Sequence, residues 1–169
     1  GERVLDAGCG PAGIFTILQA QKVDAIDPLL EAYEKKLPDF RLNQFPYVHF
    51  QAMMLEQLDQ REVYDHVFCL NAINHVADLE KAMQRLVQSL KPGGSMLISI
   101  DVHRFELLKF IFRILPGDVL HPQQDDLADY LCLLEKLGLI IEKKLVLKQG
   151  WIFNYAALKA KKEMAHQPE

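Results

Sequence analysis

The chain has 169 residues, half of them hydrophobic, with 19 Lys and Arg against 23 Asp and Glu for a net charge of −4. That length and apolar fraction suit one compact domain with a real core, spanning residues 1–169. The interspersed charges offer no basic surface, so nucleic acid is not an expected partner. Cys9, Cys69 and Cys132 are far apart and odd in number, with no metal or disulfide spacing, which points to a reducing, cytoplasmic setting and no metal. No stretch reaches transmembrane length and no signal peptide is visible, so no integral membrane segment is expected. The first strand begins almost at Gly1, without an initiator Met, so further elements upstream are expected to complete the active protein.

Arg3 to Asp6 reads as the first strand, followed by the turn Ala7-Gly8-Cys9-Gly10-Pro11-Ala12-Gly13. Glycine admits positive φ and lets a ligand approach the backbone without a Cβ in the way. The spacing predicts a short helix over Ala12 to Gln21, a strand over Lys22 to Asp27 and a helix over Leu29 to Leu37. Pro38 and Pro46 bracket a loop before a third strand, Tyr47 to Phe50. Asp65 to Asn71 reads as a buried strand, with Val67, Phe68, Cys69 and Leu70 in an unbroken apolar run. Asp78 is a natural N-cap for a helix carrying Leu79, Ala82, Met83, Leu86, Val87 and Leu90 on one face. Lys91-Pro92-Gly93-Gly94 reads as a stop and turn, and Ser95 to Asp101 as the next strand. A very apolar helix is expected within 103–120, ended by Pro116-Gly117. Pro122 opens another helix, with Gly138 as its C-cap. Leu139 to Leu147 and Trp151 to Leu158 lie close enough for an antiparallel hairpin. Alternating strands and helices imply a parallel sheet covered on both faces.

Gly8, Gly10 and Gly13 satisfy the G-x-G-x-x-G pattern of dinucleotide sites. Asp6 argues against a dinucleotide, because a carboxylate just before the turn repels a pyrophosphate. A ligand carrying an ammonium group or hydroxyls would be favoured there.

These residues together resemble the class I S-adenosylmethionine-dependent methyltransferases. The likeness rests on Val4-Leu5-Asp6-Ala7-Gly8-Cys9-Gly10, on Ala25-Ile26-Asp27-Pro28, and on the segment from Tyr64 to His75. Leu90-Lys91-Pro92-Gly93-Gly94 and the closing hairpin complete it, in the family's order. The resemblance implies an α/β fold: a Rossmann-like, doubly wound, mostly parallel seven-stranded sheet with a C-terminal antiparallel hairpin. It implies S-adenosyl-L-methionine as cofactor, with Asp6, Ala7, Gly8, Cys9 and Gly10 against its methionine part and Asp27 accepting both ribose hydroxyls. Pro28 and Leu29 would pack on adenine. Gln51, Ala52 and Met53 fall where the family contacts adenine, although Gln51 stands where an Asp is common and Met53 also reads as core. Asn71 and Ala72 would contact the methionine portion. Cys9 needs only to be small. A structural part is expected for His75, while Asn74 reads either way and His49 and His66 read as surface or satisfied positions.

Methyl transfer from a sulfonium is an in-line displacement that needs alignment, dryness and, for some acceptors, a base. His103 and His121 are the candidate catalytic bases, and each also reads as a loop histidine bonded to backbone. Glu106, Lys109 and Arg113 fall on one face of the apolar stretch from Phe105 to Leu115. The 103–120 insertion is thus a lid candidate, with core and membrane-surface roles as alternatives and a homodimer contact through 104–115 as another. The sequence therefore points to a methyltransferase acting on a small, hydrophobic molecule. The alternatives are a non-catalytic domain of the same fold, serving as a cofactor-binding or scaffold module, and an NAD-dependent oxidoreductase.

Overall fold

A computed structural model describes residues 1–19, 21–103, 127–149 and 153–164; at 101–103, 148–149 and 153–154 the backbone alone is described. Strands β1 (Arg3–Ala7), β2 (Lys22–Ile26), β3 (Val48–Gln51), β4 (Tyr64–Leu70), β5 (Leu90–His103), β6 (Leu139–Gln149) and β7 (Phe153–Lys162) form one seven-stranded sheet in the order β3-β2-β1-β4-β5-β7-β6. Strands β1 to β5 pair in parallel, and β7 lies antiparallel between β5 and β6. The expected architecture is therefore the one observed. The sheet reverses its order between β1 and β4, and such a switch point opens a crevice at the carboxyl ends of the strands.

Alternation along the strands feeds two cores. Leu5, Val67, Cys69, Met96, Ile98 and Ile100 point to one face, where they meet helices α2 (Leu79–Ser89) and α3 (Leu127–Lys136) through Met83, Leu86, Tyr130 and Leu134. Val4, Val23 and Ala25 point to the other face, against Phe15, Phe40 and Leu30 of helix α1 (Leu30–Lys36). Phe15 is fully buried there, edge-on to Phe45 at 4.9 Å and to Phe50 at 5.1 Å. Asp78 caps α2 by accepting from Lys81 N at 2.9 Å. Gly138, at φ 81°, ends α3 as expected of a C-cap.

Two local expectations are corrected. The helix over Ala12 to Gln21 is a single 3-10 turn, Ile14–Thr16. Thr16 Oγ1 donates to Gly13 O at 2.9 Å and the Asp6 carboxylate takes the Phe15 amide at 3.0 Å, so side chains satisfy the groups a longer helix would use. Of its apolar residues only Phe15 is buried, and Ile17 is 73% exposed. Second, Lys91-Pro92-Gly93-Gly94 lies within β5 as a bulge. Leu90 pairs with Tyr64 and Ser95 with His66, leaving those four residues opposite Asp65. Gly93 sits at φ 75°, and a Cβ on Gly94 would lie 2.9 Å from Lys91 O and 3.1 Å from Asp65 O. The closing hairpin is longer than its apolar runs, because the Lys-rich ends still pair. Apart from the His103 backbone, the 103–120 insertion, with the lid and the 104–115 dimer contact read into it, lies outside the described residues, as do His121 and Trp151.

Phe15→Ala should destabilise the fold by about 3–5 kcal/mol, because a fully buried ring is removed from an aromatic cluster. Equilibrium urea unfolding checks this, and a cost under about 1 kcal/mol would mean that the second core does not hold the first loop.

Candidate functional site

A cavity of about 550 Å³ opens at the carboxyl ends of β1, β2 and β4. That volume lies within the range of small-molecule sites. Its floor is the turn after β1. Gly8 and Gly10 take φ of 72° and 55°, which an L side chain resists. A Cβ on Gly8 would collide with the Ala72 side chain across the cavity floor. Gly8 N and Cys9 N both donate to Ile26 O, at 2.8 and 3.1 Å, which pins the turn to the end of β2.

Asp27 follows β2 and is buried. Its Oδ2 accepts from Gly10 N at 3.0 Å and its Oδ1 from Leu29 N at 2.8 Å. One carboxylate thus joins the glycine turn to the start of α1. An ionised carboxylate offers about four acceptor positions, so lone pairs remain for a ligand in the cavity that Asp27 lines.

Asp6 lies near the end of β1. It is 2% exposed and faces a smaller adjoining cavity of about 240 Å³, which shares Gly8, Cys9, Ala12 and Leu70 with the first. Burial pushes its carboxyl up to about 6, against the backbone hydrogen bonds from Phe15 and Ile14 that hold it down. Burial, then the nearby Asp6 and Asp27, push the Cys9 thiol far above its ordinary value. A protonated thiol is no nucleophile.

Two loops close the other walls. Glu56, from the loop after β3, accepts at Oε1 from Ala77 N at 2.9 Å and Asp78 N at 3.2 Å, bracing that loop against the entry to α2. Asn71, directly after β4, takes φ of 54°, with its N–H donating to Ser99 Oγ at 2.9 Å.

The cavity gathers most of the residues read from the sequence. Gly8, Cys9, Gly10, Asp27, Pro28, Leu29, Asn71 and Ala72 line it. Asp6 lines the smaller cavity, and Ala7 is fully buried in the α2–α3 core. Gln51, Ala52 and Met53 do not line the larger cavity; Met54, Leu55 and Glu56 take that wall. The strand register explains the displacement. Gln51 is the last residue of β3 and its carbonyl accepts from Asp27 N at 3.3 Å, so the chain still has to travel outward before it meets the cavity. His75 lines the rim and its N–H donates to Ala72 O at 3.0 Å. Tyr33, Met54 and Glu56 are lining residues that sequence reading missed. Only Tyr33 carried a signal, lying one helical turn beyond Leu29 and so on the same side of α1. His49 and His66 sit away from the cavity, His49 Nδ1 3.1 Å from Asp24 Oδ1 and His66 Nδ1 2.7 Å from Ser95 Oγ. His103 ends β5 opposite Phe153. Among the described residues no group of three or more His, Cys, Asp or Glu is placed to hold a metal ion, and no helix is long and apolar enough to cross a membrane.

Comparison with known proteins agrees with this geometry. Residues 1–137 match the sequence model of a family described as a methyltransferase domain. The chain is 37% identical over 98 residues to the ubiquinone biosynthesis O-methyltransferase of Rickettsia conorii, a match covering 57% of this chain and 34% of that protein. It is 36% identical over 99 residues to the Rickettsia prowazekii protein of the same name, covering 57% and 39%. The chain thus spans well under half the length of these relatives. Among solved structures, geranyl diphosphate C-methyltransferase from Streptomyces coelicolor superposes with a TM-score of 0.74 at 12% identity, covering 96% of this chain and 70% of that one. The cyclase SpnF superposes with a TM-score of 0.74 at 14% identity, covering 98% and 76%. At such identities the two structures establish the shared fold. The family match takes in the sheet from β1 to β5, both carboxylates and the glycine turn, and the chain belongs to the methyltransferase-domain family.

Proposed function

We propose that the chain is a single catalytic domain that transfers a methyl group from S-adenosyl-L-methionine to a small, apolar acceptor. The observation that carries this is Asp27, a buried carboxylate bonded to Gly10 N and still lining the cavity, beside a turn whose positive φ values favour glycine. A nucleoside fits this donor set: ribose hydroxyls donate to the remaining lone pairs of Asp27, and the Pro28, Leu29 and Met54 side chains give an apolar slot for a base. Asp6 supplies negative charge to the adjoining cavity, which suits the ammonium end of a methionine chain and opposes a pyrophosphate. The names of the Rickettsia relatives support an oxygen acceptor.

When bound, the cofactor supplies an electrophilic methyl on a positively charged sulfur. The protein has then to align and to exclude water. Asp27 fixes the nucleoside end, the Gly8 turn bounds the sulfur end, and Asn71 and Ala72 form the wall opposite. An acceptor hydroxyl must lose its proton as the new bond forms. His75, at the cavity rim, and His103, at the end of β5, are the residues to test as its base.

S-Adenosylhomocysteine should raise the melting temperature where NAD does not, because a ligand of the native state stabilises by mass action. Asp27→Asn should stay folded and lose roughly tenfold to hundredfold in affinity for S-adenosylhomocysteine, since the amide cannot accept from Gly10, Leu29 and two hydroxyls at once. Calorimetric titration checks this, and unchanged affinity would defeat the ribose assignment.

Asp6 gives a pH signature with opposite signs in two measurements. Its folded pKa of about 6 lies above the ordinary 3.8, so the empty protein takes up a proton as pH falls through that window and gains stability from this group. Ligand affinity moves the other way, because protonation removes the charge facing the ammonium. Affinity for S-adenosylhomocysteine should therefore weaken below about pH 6, and Asp6→Asn should flatten both curves. Melting temperatures with and without ligand, from pH 4 to pH 8, are the check; parallel curves would place the ammonium elsewhere.

A further inference from the structure

We propose that Ser99 and Tyr155 are positioning residues that hold Asn71 in its left-handed conformation and thereby set the wall opposing the glycine turn. The proposal rests on the S-adenosyl reading of the cavity and extends it to residues outside that cavity.

Strand β4 ends at Leu70, and the chain leaves the sheet at once over the cavity. It does so through Asn71 at φ 54°, a left-handed region that asparagine enters more readily than most L residues and that a hydrogen-bond partner can hold against the extended alternative. The holding group is Ser99. The Asn71 N–H donates to Ser99 Oγ at 2.9 Å and to Ser99 O at 3.3 Å. Ser99 is 1% exposed and stands opposite Leu70 on β5, so it lies beside the point where β4 ends.

A serine hydroxyl can rotate, and a lone Ser99 would not hold one acceptor direction. Tyr155 removes that freedom. Its hydroxyl lies 2.6 Å from Ser99 Oγ. Ala157 is the direct partner of Ser99 on β7, and Tyr155 stands two residues away on the same face, a diagonal pair. A hydroxyl has one proton and two lone pairs, so Ser99 can take the Asn71 amide and bond Tyr155 together. The chain of contacts runs from β7 through β5 to the residue after β4.

It does not stop at Asn71. The next residue, Ala72, occupies the space that a side chain on Gly8 would need. With so little slack, a shift of Asn71 carries Ala72 against or away from the turn that faces the ligand. Tyr155, on β7, thus reaches the ligand site by way of the Ser99 hydroxyl, Asn71 and Ala72.

The test uses the whole chain. Amide exchange at Asn71, followed by NMR without ligand, should speed up by about tenfold in Ser99→Ala and severalfold in Tyr155→Phe. Titration should show Ser99→Ala weakening S-adenosylhomocysteine by about tenfold, with a melting temperature close to that of the wild type. In an Asn71→Gly background the same Ser99→Ala change should cost less than about twofold, because glycine takes positive φ unaided. Equal losses in both backgrounds, or no loss from Ser99→Ala, would overturn the proposal. Should the wild type fail to bind S-adenosylhomocysteine, the cofactor reading falls, and unaltered exchange at Asn71 in both variants would still overturn the positioning of that residue by Ser99 and Tyr155.

Discussion

Everything at the carboxyl edge of the sheet depends on the two hydrogen bonds that Asp27 accepts. Gly8 and Gly10 bring no side chains to hold the turn after β1, and their positive-φ conformations cost entropy to order. Asp27 takes Gly10 N on one oxygen and Leu29 N on the other, so one buried carboxylate ties the turn, itself pinned to β2 through Ile26 O, to the start of α1. Charge-assisted bonds are the strong ones, and burial keeps water from competing for them. The same carboxylate remains exposed to the cavity on its unused side, so the group that builds the floor is also available to a ligand.

Asp6 shows the opposite balance. Its burial is unfavourable when ionised, and two backbone N–H bonds only partly offset that, leaving its carboxyl near 6. A fold optimised for stability would place an apolar residue there, as it does at Leu5 and Ala7 on either side. A cation in the adjoining cavity would relieve the strain. Stability is thus held back in the empty protein at the point where a positively charged ligand would restore it, a common trade at functional sites.

Sequence made the frame legible because the frame is written locally. Short apolar runs mark the strands, unbroken at Val67 to Leu70, and Gly8, Gly10 and Asp27 lie within twenty residues of one another. What could not be read depends on register between distant strands. Gln51 to Met53 were placed on the cavity because they follow β3, yet the chain meets it one to three residues later, at Met54 to Glu56. Ser99 reads as one more small residue in a buried strand; its meaning comes from pairing with Leu70 on one side and Ala157 on the other. The short helix after the glycine turn failed for a different reason, since Asp6 and Thr16 supply bonds that a helical pattern does not reveal.

The division of labour within the chain follows from the same geometry. Lining residues of the cavity come from the segments after β1, β2, β3 and β4, with Tyr33 of α1 and Leu70 at the end of β4, all before α2. Those segments hold the groups suited to a nucleoside. The later strands contribute by support, through the contact of Tyr155 with Ser99 and of Ser99 with the Asn71 amide. Ligand recognition and reaction choice can then vary separately. Geranyl diphosphate C-methyltransferase and the cyclase SpnF share this fold and differ in the chemistry their names record.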